Sequence, residues 1–476
     1  MLGTEIDRFI SDYLSEIDAG NAAIFAGAGL SVPAGFVDWA SLVRPLAEEL
    51  NLDVSKEADL VAVAQFHVNS NQQNRHALHK AIVDAFAVNT APTTNHSILA
   101  RLPITTYWTT NYDKLIEKSL EDAGKIVDVK WALEQLAVTR PRRDATIYKM
   151  HGDVDRPDQA IATRDDYEHY GTKNGAFINA LAGDLVSKTF LFLGFSFTDP
   201  NLEQVLARVR TTFKNNQRRH YAIFRRRKRL DAEDEAEFEY AKIRQALVLE
   251  DLKRFNISPL LVDEYDEVTK ILAELERRYR SRTVFISSSA SDFAPWGEEA
   301  VWSFMRKLGS ALMSAKLRLA TGMGVGVSNA LFSGALETIY NDKLGHLEDR
   351  ITLRPFPQHI ADDAKRKEVW EAYRQEIISS SGVAVFLFGN KRSGNDIVAA
   401  DGMIREYEIS RQNGLLCLPV GATGHAAELI AKRFLEEIGS ERPEVAELVR
   451  SLLEHRENLN ELIEPILKFI TAHRAR

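Results

Sequence analysis

The chain has 476 residues, of which 45% are hydrophobic and 27% are charged, with a formal net charge of −8 at pH 7. These values are ordinary for a soluble globular protein, and the length predicts two domains because one domain usually holds about 100–250 residues. The acidic balance argues against a general nucleic-acid coat, whose phosphate contacts need excess Lys and Arg. No apolar run reaches the ~20 residues that span a bilayer, and residues 1–18 are unlike a signal peptide. We therefore expect a cytoplasmic protein that binds neither nucleic acid nor membrane.

Only one cysteine, Cys417, is present in the whole sequence. A disulfide within the chain needs two cysteines, and a cysteine-rich zinc site needs several, often as Cys-x-x-Cys pairs. The count therefore excludes both features, and we expect no bound metal. Any chemistry that the chain performs must come from other side chains.

The first half of the chain alternates predicted helices and strands. Apolar residues at helical spacing predict a first helix over residues 6–17, and similar patterns follow at 39–50, 60–67 and 76–86. Short apolar runs predict strands over 105–109, 146–150 and 189–193. Each of these strands is followed at once by a polar or glycine-containing segment. Ligands bind beyond the carboxyl ends of the strands in open α/β sheets, so these segments are candidate site residues.

The most informative segment is Gly27-Ala28-Gly29-Leu30-Ser31, which follows the apolar run Ile24-Phe25-Ala26. Glycines in such a turn let backbone N–H groups approach a phosphate closely, and a helix N-terminus adds favourable charge. Many glycine turns only reverse the chain, so this turn is informative only in combination with three later segments. They are Asn111-Tyr112-Asp113, His151-Gly152 and Gly194-Phe195-Ser196-Phe197-Thr198-Asp199-Pro200.

The second half starts a new alternation of strands and helices after a helical connector over residues 266–282. Strands are predicted over 283–289, 317–321, 351–353, 383–388 and 415–420, with helices such as 365–379 and 402–413 between them. This order predicts a doubly wound parallel sheet. The fold class is therefore α/β with two Rossmann-like domains, over residues 1–282 and 283–476.

A charged segment separates the last motif from the connector. The basic run Arg225 to Arg229 is followed by an acidic stretch from Asp231 to Glu239. The neighbouring acids cancel much of the field that a phosphate or nucleic-acid patch would need. We therefore interpret the segment as a solvated helical excursion whose charges pair with one another.

The four motifs of the first half together resemble the sirtuin family of NAD-consuming enzymes, in order and in rough spacing. The resemblance implies that His151 accepts a proton from a ribose hydroxyl and that Asn111 orients the reacting centre. It implies that Asp113 binds the nicotinamide amide. The family's Phe-Arg pair after the glycine turn is not kept, because this chain has Phe36-Val37-Asp38-Trp39 there. The remaining cofactor-binding residues that the resemblance implies are Gly27, Ala28, Gly29, Ser31, Gly194, Ser196 and Asp199.

The cysteine count bears on which reaction the resemblance implies. Sirtuins that deacylate lysine usually carry a zinc module with two Cys-x-x-Cys pairs, and this chain has no such pairs. Water is therefore expected to attack where acyl-lysine would, giving ADP-ribose and nicotinamide. Two alternatives stay open: a sirtuin-type protein deacylase or ADP-ribosyltransferase, and a nucleotide-gated scaffold that binds NAD without cleaving it.

The glycine loop Thr321-Gly322-Met323-Gly324-Val325-Gly326 in the second half has two interpretations, a nucleotide site or close packing of a strand on a helix. Ser287 to Ser289 end the preceding strand in a second small-residue turn. Lys391, Arg374 and Glu406 flank the strand over 383–388 and could hold a phosphorylated ribose. Arg374 by itself is equally typical of a surface helix.

A sirtuin-like NAD hydrolase joined to a nucleotide-sensing SLOG domain resembles the effectors of the Thoeris antiphage defence family, over essentially the whole chain. The resemblance implies that a TIR-domain partner makes a cyclic ADP-ribose isomer, which binds the second domain and switches on NAD depletion and abortive infection. It also implies a homotetramer formed through the sirtuin-like domains. The implied signal-binding residues are Ser288, Ser289, Gly324, Gly326, Arg374, Lys391 and Glu406.

Overall fold

The computed structural model describes residues 3–214, 216–357, 360–438 and 443–474. The chain divides into two compact units, with the division between Glu276 and Arg277. We call residues up to 276 unit 1 and those from 277 unit 2. The predicted boundary after residue 282, between the two functional domains, stays a prediction.

Unit 1 contains the helices and strands of a parallel α/β domain. Its strands are β1 (Ala22–Ala26), β2 (Thr106–Thr109), β3 (Val127–Lys130), β4 (Ala145–Lys149), β5 (Thr189–Leu193), β6 (His220–Arg225) and β7 (Ile257–Val262). Its helices are α1 (Thr4–Asp18), α2 (Ala28–Ser31), α3 (Trp39–Glu49), α4 (Leu60–Ser70), α5 (His76–Phe86), α6 (Thr94–Arg101), α7 (Leu115–Asp122), α8 (Leu133–Ala137), α9 (Arg164–Lys173), α10 (Gly175–Ser187), α11 (Pro200–Phe213), α12 (Glu235–Leu252) and α13 (Asp266–Arg280), within which the division falls.

The seven strands of unit 1 form one sheet in the order β3-β4-β2-β1-β5-β6-β7, and every pairing is parallel. The central strands β1 and β5 are buried along their whole length, which explains their continuous apolar sequences. After β4 the chain crosses to the other side of β1. The strand order therefore reverses at β1, and such a point is where open α/β sheets leave a crevice for a ligand.

Two glycine-containing turns meet at this crevice. A Cβ built on Gly27 would lie 2.4 Å from the Gly194 carbonyl oxygen, and one on Gly194 would lie 2.3 Å from the Leu30 nitrogen. Gly194 also has a φ of 63°, which a side chain disfavours. The turns after β1 and β5 can therefore pack backbone against backbone only because both positions lack a side chain.

Unit 2 repeats the α/β plan with a smaller sheet. Its strands are β8 (Thr283–Ser289), β9 (Arg318–Thr321), β10 (Ile351–Leu353), β11 (Val383–Phe388), β12 (Asn390–Ser393), β13 (Asp396–Ala399) and β14 (Leu416–Val420). Its helices are α14 (Glu298–Ser314), α15 (Ser328–Asn341), α16 (Asp363–Ser379), α17 (Asp401–Gln412), α18 (His425–Ile438), α19 (Pro443–Ser451) and α20 (Ile463–Arg474). Five strands form a parallel sheet in the order β10-β9-β8-β11-β14, and β12 pairs antiparallel with β13.

These two sheets confirm the predicted fold class of two Rossmann-like parallel-sheet domains. The predicted helices and strands are present with ends that move by a few residues, and β8 and β11 have the predicted bounds. The sequence analysis did not find the edge strands β3 and β7, the neighbouring strand β6 or the β12–β13 hairpin. No helix in the described part of the chain is both long and apolar enough to cross a bilayer.

The basic run is only partly as expected. Arg225 ends strand β6 instead of lying in a helix, and α12 begins only at Glu235. The charges do pair: Arg225 bonds Asp231, and Arg229 bonds Glu235. The helical expectation was therefore wrong for the start of the basic run, where Arg225 ends a strand, and is confirmed for the acidic residues from Glu235 onward. The expected self-pairing is confirmed for these two pairs.

Candidate functional site

The predicted motifs of unit 1 follow four strands that are neighbours in the sheet. Gly27 follows β1, Asn111 follows β2, His151 follows β4 and Gly194 follows β5, and the strand order there is β4-β2-β1-β5. Parallel strands end at the same edge, so the chain brings residues more than a hundred positions apart to one place.

A cavity of about 470 Å³ lies at this edge. Its apolar wall is formed partly by Trp39, Leu42 and Phe86. A mostly apolar cleft of this volume with a few polar groups is typical of a small-molecule site. Gly27 is the one predicted catalytic or cofactor-binding residue that does not line the cavity, while Ala28, Gly29, Ser31, Asn111, Asp113, His151, Gly194, Ser196 and Asp199 do.

The Asn111 side chain is held in a fixed orientation. Its Nδ2 donates to the Gly27 carbonyl at 3.1 Å and to the Ser31 hydroxyl at 3.2 Å. Its backbone N–H donates to Thr109 Oγ1 at 2.9 Å, and that hydroxyl in turn donates to the Ala26 carbonyl. With its amide nitrogen used in this way, Asn111 keeps its side-chain oxygen as an acceptor for a molecule in the cavity.

His151 lies against a carboxylate, that of Asp199, at the N-cap of α11. Its Nε2 is 3.1 Å from Asp199 Oδ2, but the alignment is not that of a hydrogen bond, and this nitrogen has no hydrogen-bond partner within the described residues. Asp199 caps α11 by accepting from the Leu202 N–H at 2.9 Å, and it accepts from the Tyr167 hydroxyl at 3.1 Å. The imidazole is therefore placed by charge and packing, with a nitrogen still available.

Burial raises the pKa of the Asp199 carboxyl, but the His151 imidazole and the hydrogen bonds from Leu202 and Tyr167 lower it by more. The net pKa of Asp199 lies below its usual value. Asp199 is therefore a carboxylate near neutral pH, and it places a negative charge 3.1 Å from His151 Nε2.

Asp113 also lines the cavity and has a carboxylate oxygen without a hydrogen-bond partner among the described residues. Its Oδ1 accepts from the Leu115 N–H at 3.0 Å, and the residue is 4% exposed. Its buried Oδ2 has no hydrogen-bond partner in the part of the chain that the structure describes. A buried acceptor without a donor costs free energy, so this position suits a ligand N–H.

The glycine turn itself is occupied by internal bonds. The Gly27 N–H donates to the Leu193 carbonyl and the Gly29 N–H donates to the Gly194 carbonyl, both at 2.9 Å. In this conformation these two groups are used to join the turns after β1 and β5. Their role here is to shape the cavity floor.

The predicted residues of unit 2 gather at the carboxyl ends of β9, β8 and β11. Arg374 Nε lies 3.5 Å from Glu406 Oε1, and Glu406 Oε2 accepts from the Ser287 hydroxyl at 2.5 Å. The Arg374 guanidinium also lies over the rings of Phe356 and Trp370, at 5.0 and 5.9 Å. The structure therefore brings Arg374 and Glu406 together, and Arg374 is not a surface arginine because its side chain is only 13% exposed.

The other predicted residues of unit 2 lie around this pair. Lys391 binds Asp401 at the start of α17, the helix that carries Glu406. Ser289 donates to the Asn390 carbonyl at 3.2 Å, whereas the buried Ser288 hydroxyl has no hydrogen-bond partner among the described residues. Cβ atoms on Gly324 and Gly326 would lie 1.8 and 1.9 Å from the carbonyl oxygens of Ser288 and Ala290. These glycines therefore allow the loop to pack on the end of β8.

Comparison with known proteins gives matches over both units. A model of the SIR2-like domain matches residues 105–246, and a model of the Sir2- and TIR-associating SLOG family matches residues 267–473. "NAD(+) hydrolase ThsA" of Acinetobacter baumannii is 45% identical over 98% of this chain and 96% of its own length. The protein of the same name from Bacillus cereus is 44% identical over 98% of both chains. The chain belongs to the ThsA family. A "Defense-associated sirtuin 2" of Bacillus subtilis is more distant, at 25% identity over 45% of this chain.

Sequence reasoning missed three features of this ThsA-family chain. Tyr167 on α9 bonds Asp199, and its ring lies edge-on to His151 with centroids 5.5 Å apart. Lys149 precedes His151 by two residues and is fully buried beneath the site. Trp370 packs on Arg374 four residues further along α16. The lysine at a strand end was visible in the sequence, but its burial and contacts arise only from the packing of distant segments.

No three His, Cys, Asp or Glu side chains of the described ThsA-family residues cluster as metal ligands would. The polar groups of the unit 1 cavity include an amide, an imidazole and three carboxylates, those of Asp38, Asp113 and Asp199. These groups can orient a molecule, accept its N–H groups and take up a proton.

Proposed function

We propose that the chain hydrolyses NAD+ to ADP-ribose and nicotinamide in the unit 1 cavity. The observation that carries the proposal is that Asn111, Asp113 and His151 line one cavity at the switch point of a parallel sheet. Membership of the ThsA family supports it, because four relatives at 39–45% identity are named NAD(+) hydrolase.

The reaction needs little acid help because the leaving group, nicotinamide, becomes neutral as its bond to the ribose breaks. The glycosidic C–N electron pair goes to the nicotinamide nitrogen, and water oxygen bonds to the ribose carbon. The oxocarbenium-like charge must be stabilised and water must be held on the reacting face. Asn111 orients this centre through its side-chain oxygen, and His151, beside Asp199, accepts a proton from a ribose hydroxyl. The proton that the attacking water loses goes to solvent.

Substrate orientation follows from the free acceptors. Asp113 Oδ2 accepts an N–H of the nicotinamide amide, which places the glycosidic carbon between Asn111 and His151. Ala28, Gly29, Ser31, Gly194 and Ser196 line the part of the cavity where the pyrophosphate and ribose lie. Gly27 does not line the cavity. Its role is to allow the turns after β1 and β5 to pack closely.

Unit 2 is proposed as the sensor of a cyclic ADP-ribose isomer. Arg374 and Lys391 supply positive charge for phosphate, Glu406 an acceptor for ribose hydroxyls, and the loops of Ser288, Ser289, Gly324 and Gly326 a backbone surface. A ligand can activate only by binding the active state more tightly than the resting state. Autoinhibition is required because uncontrolled NAD loss would kill the host.

In this proposal the activator comes from a TIR-domain partner in the same cytoplasm, as a diffusible signal in antiphage defence by abortive infection. The chain acts as a homotetramer formed through unit 1. The TIR-domain partner and the homotetramer both extend the resemblance to Thoeris effectors. The match of unit 2 to the Sir2- and TIR-associating SLOG family supports the TIR-domain partner.

The decisive experiment measures nicotinamide release from NAD+ by the full chain, with and without a panel of cyclic ADP-ribose isomers. Activator-dependent release with ADP-ribose as co-product supports the proposal. Release that requires an acylated peptide would instead identify a deacylase. Binding of NAD+ without any product under all conditions would identify a nucleotide-gated scaffold and overturn the assignment.

A further inference from the structure

Lys149 is the last residue of β4, and its side chain is completely buried beneath the cavity. Its ammonium donates to the carbonyl oxygens of Tyr112 at 3.1 Å and Asp113 at 2.7 Å. It also donates to Asp153 Oδ2 at 2.5 Å. Three N–H donors thus meet three acceptors, and the lysine is fully used.

The charge of this lysine is maintained by its surroundings. Burial lowers the pKa of Lys149, but Glu117 at 3.0 Å and Asp153 raise it by more, so the net pKa lies above the usual value. Lysine is rarely buried in this way without carboxylate partners, because an isolated buried charge is very costly. The chain therefore keeps a permanent cation under the site that lines no part of the cavity.

The contacts of Lys149 join the two motifs that supply the reacting groups. Tyr112 and Asp113 directly follow Asn111 on the segment after β2, whereas Asp153 lies two residues beyond His151 on the segment after β4. Three further contacts join the same two stretches of chain. The Val154 N–H donates to the Tyr112 carbonyl and the Met150 N–H to the Thr109 carbonyl, both at 3.1 Å, and Lys114 pairs with Asp155 at the exposed side. The ammonium is thus a three-way bridge between the Asn111 segment and the His151 segment.

We propose that Lys149 is a positioning residue that sets the spacing of Asn111 and His151 for the proposed NAD hydrolysis, on which this inference rests. The residue touches no substrate. It acts by pulling two carbonyl groups of one motif towards a carboxylate of the other. Loss of the bridge should let the two segments separate, and a misplacement of about 1 Å can cost roughly 100-fold in rate.

The test compares Lys149→Met with Lys130→Met in the full chain. Lys130 is a matched control because it also ends a strand of the same sheet, is 5% exposed and is paired with a carboxylate, Asp128, at 2.8 Å. It does not line the cavity. Both variants lose a buried ion pair, so both should lower the melting temperature. Only Lys149→Met should lower kcat, by about 100-fold, with KM for NAD+ changed less than about threefold.

A second variant guards against loss of folding. Lys149→Met/Asp153→Asn removes the cation together with the charge of its nearest carboxylate, whose other partners are the Asp155 N–H at 2.9 Å and Lys114 Nζ at 3.8 Å. It should fold more stably than Lys149→Met and show the same fall in kcat. Equal kcat values for the folded Lys149 and Lys130 variants, or a loss confined to KM, would overturn the proposal.

A readout that does not depend on turnover separates this inference from the proposed function. NMR of the imidazole groups, with the His151 signal assigned from His151→Ala, should show a shifted His151 signal in Lys149→Met and an unshifted one in Lys130→Met. If the wild-type chain cleaves no NAD+ under any condition, the proposed function fails, and the NMR comparison still decides the positioning role. An unshifted His151 signal in Lys149→Met would overturn it.

Discussion

The same structural device builds two sites in this chain that differ in their polar side chains. In each unit a glycine loop packs on the carbonyl at the end of a neighbouring strand, with Gly27 against Gly194 and Gly324 against Ser288. Among the described residues that line the unit 1 cavity, the buried atoms left without hydrogen bonds are Asp113 Oδ2, His151 Nε2 and Trp39 Nε1. At the unit 2 site they are Arg374 Nε and the Ser288 hydroxyl.

The difference indicates what each site is suited to hold. A carboxylate oxygen accepts amide N–H groups and an imidazole takes up a proton, whereas a guanidinium and a hydroxyl donate to phosphate. The aromatic rings of Phe356 and Trp370 hold the guanidinium of Arg374 in place. The glycine loops alone do not distinguish the two sites, and the polar side chains around them do.

The largest expected effect comes from removing the proposed reacting groups of unit 1. Asn111→Ala and His151→Ala should each lower NAD+ turnover by at least about 100-fold, since a positioned proton acceptor contributes about 10²–10⁴-fold. Both proteins should keep the circular dichroism spectrum of the wild type. Turnover is measured as nicotinamide release at saturating activator.

The exposed histidine of α9 supplies the control for this prediction. His169→Ala removes an imidazole that bonds only the carbonyl of Asp165 four residues earlier. It should leave turnover within about twofold of the wild type. Undiminished turnover in both Asn111→Ala and His151→Ala would show that the unit 1 cavity is not the reaction site.

The next largest effect tests Arg374 as a hydrogen-bond donor to the activator proposed for unit 2. Arg374→Ala should raise the activator concentration for half-maximal turnover by roughly 10–150-fold, since a hydrogen bond to a charged group is worth about 1.5–3 kcal/mol. Arg433→Ala is the control, because Arg433 also lies over a ring, that of Tyr407, and pairs with a carboxylate. Equal responses of the two variants to the activator would contradict the sensor assignment.

How well the sequence predicts the fold differs between the central strands and the edge strands. Central strands such as β1 and β5 are predictable because they are buried on both faces and have continuous apolar sequences. The edge strand β7 contains Pro259, which argues against a strand, and the edge strand β3 alternates Val with Asp128 and Lys130. Edge strands carry a weaker pattern because fewer of their positions are buried.

The site residues divide in a similar way. Asn111 and His151 are predictable because each lies two residues beyond the end of a strand. Their motifs also occur along the chain in the same order as in the sirtuin family. An Asp-Pro pair before a helix predicts the capping role of Asp199, since aspartate is a favoured N-cap and proline a favoured first residue. Its second role beside His151 depends on the crossing of the chain from β4 to β5, which no local pattern encodes.

A smaller effect, on stability, tests the device that both units share. Gly27→Ala and Gly324→Ala each place a methyl group within 2.4 Å of a backbone carbonyl oxygen. Overpacking of this kind costs about 1–3 kcal/mol or more, which lowers the melting temperature by about 2–4 °C per kcal/mol in a unit of this size. Gly183→Ala is the control, because a Cβ at this helical position meets nothing within 4 Å. It should stabilise the protein slightly, and a wild-type melting temperature for Gly27→Ala would contradict the proposed close contact.

The smallest effect is on the pH dependence of stability, to which one carboxyl group in each site contributes differently. Burial raises the pKa of Glu406 by more than Ser287 and Arg374 lower it, whereas the net pKa of Asp199 is lowered. A folded pKa above the unfolded value of about 4.3 for Glu means that the contribution of Glu406 to stability is lost as pH rises through the folded pKa. The wild type should therefore gain stability over Glu406→Gln as pH falls through the raised pKa of Glu406. Asp199 behaves in the opposite way, since its contribution is present above about pH 3.9 and is lost only below it. The difference in melting temperature between wild type and Asp199→Asn should stay constant above that pH, and a matching slope for both pairs would show that the two carboxyls share one kind of environment.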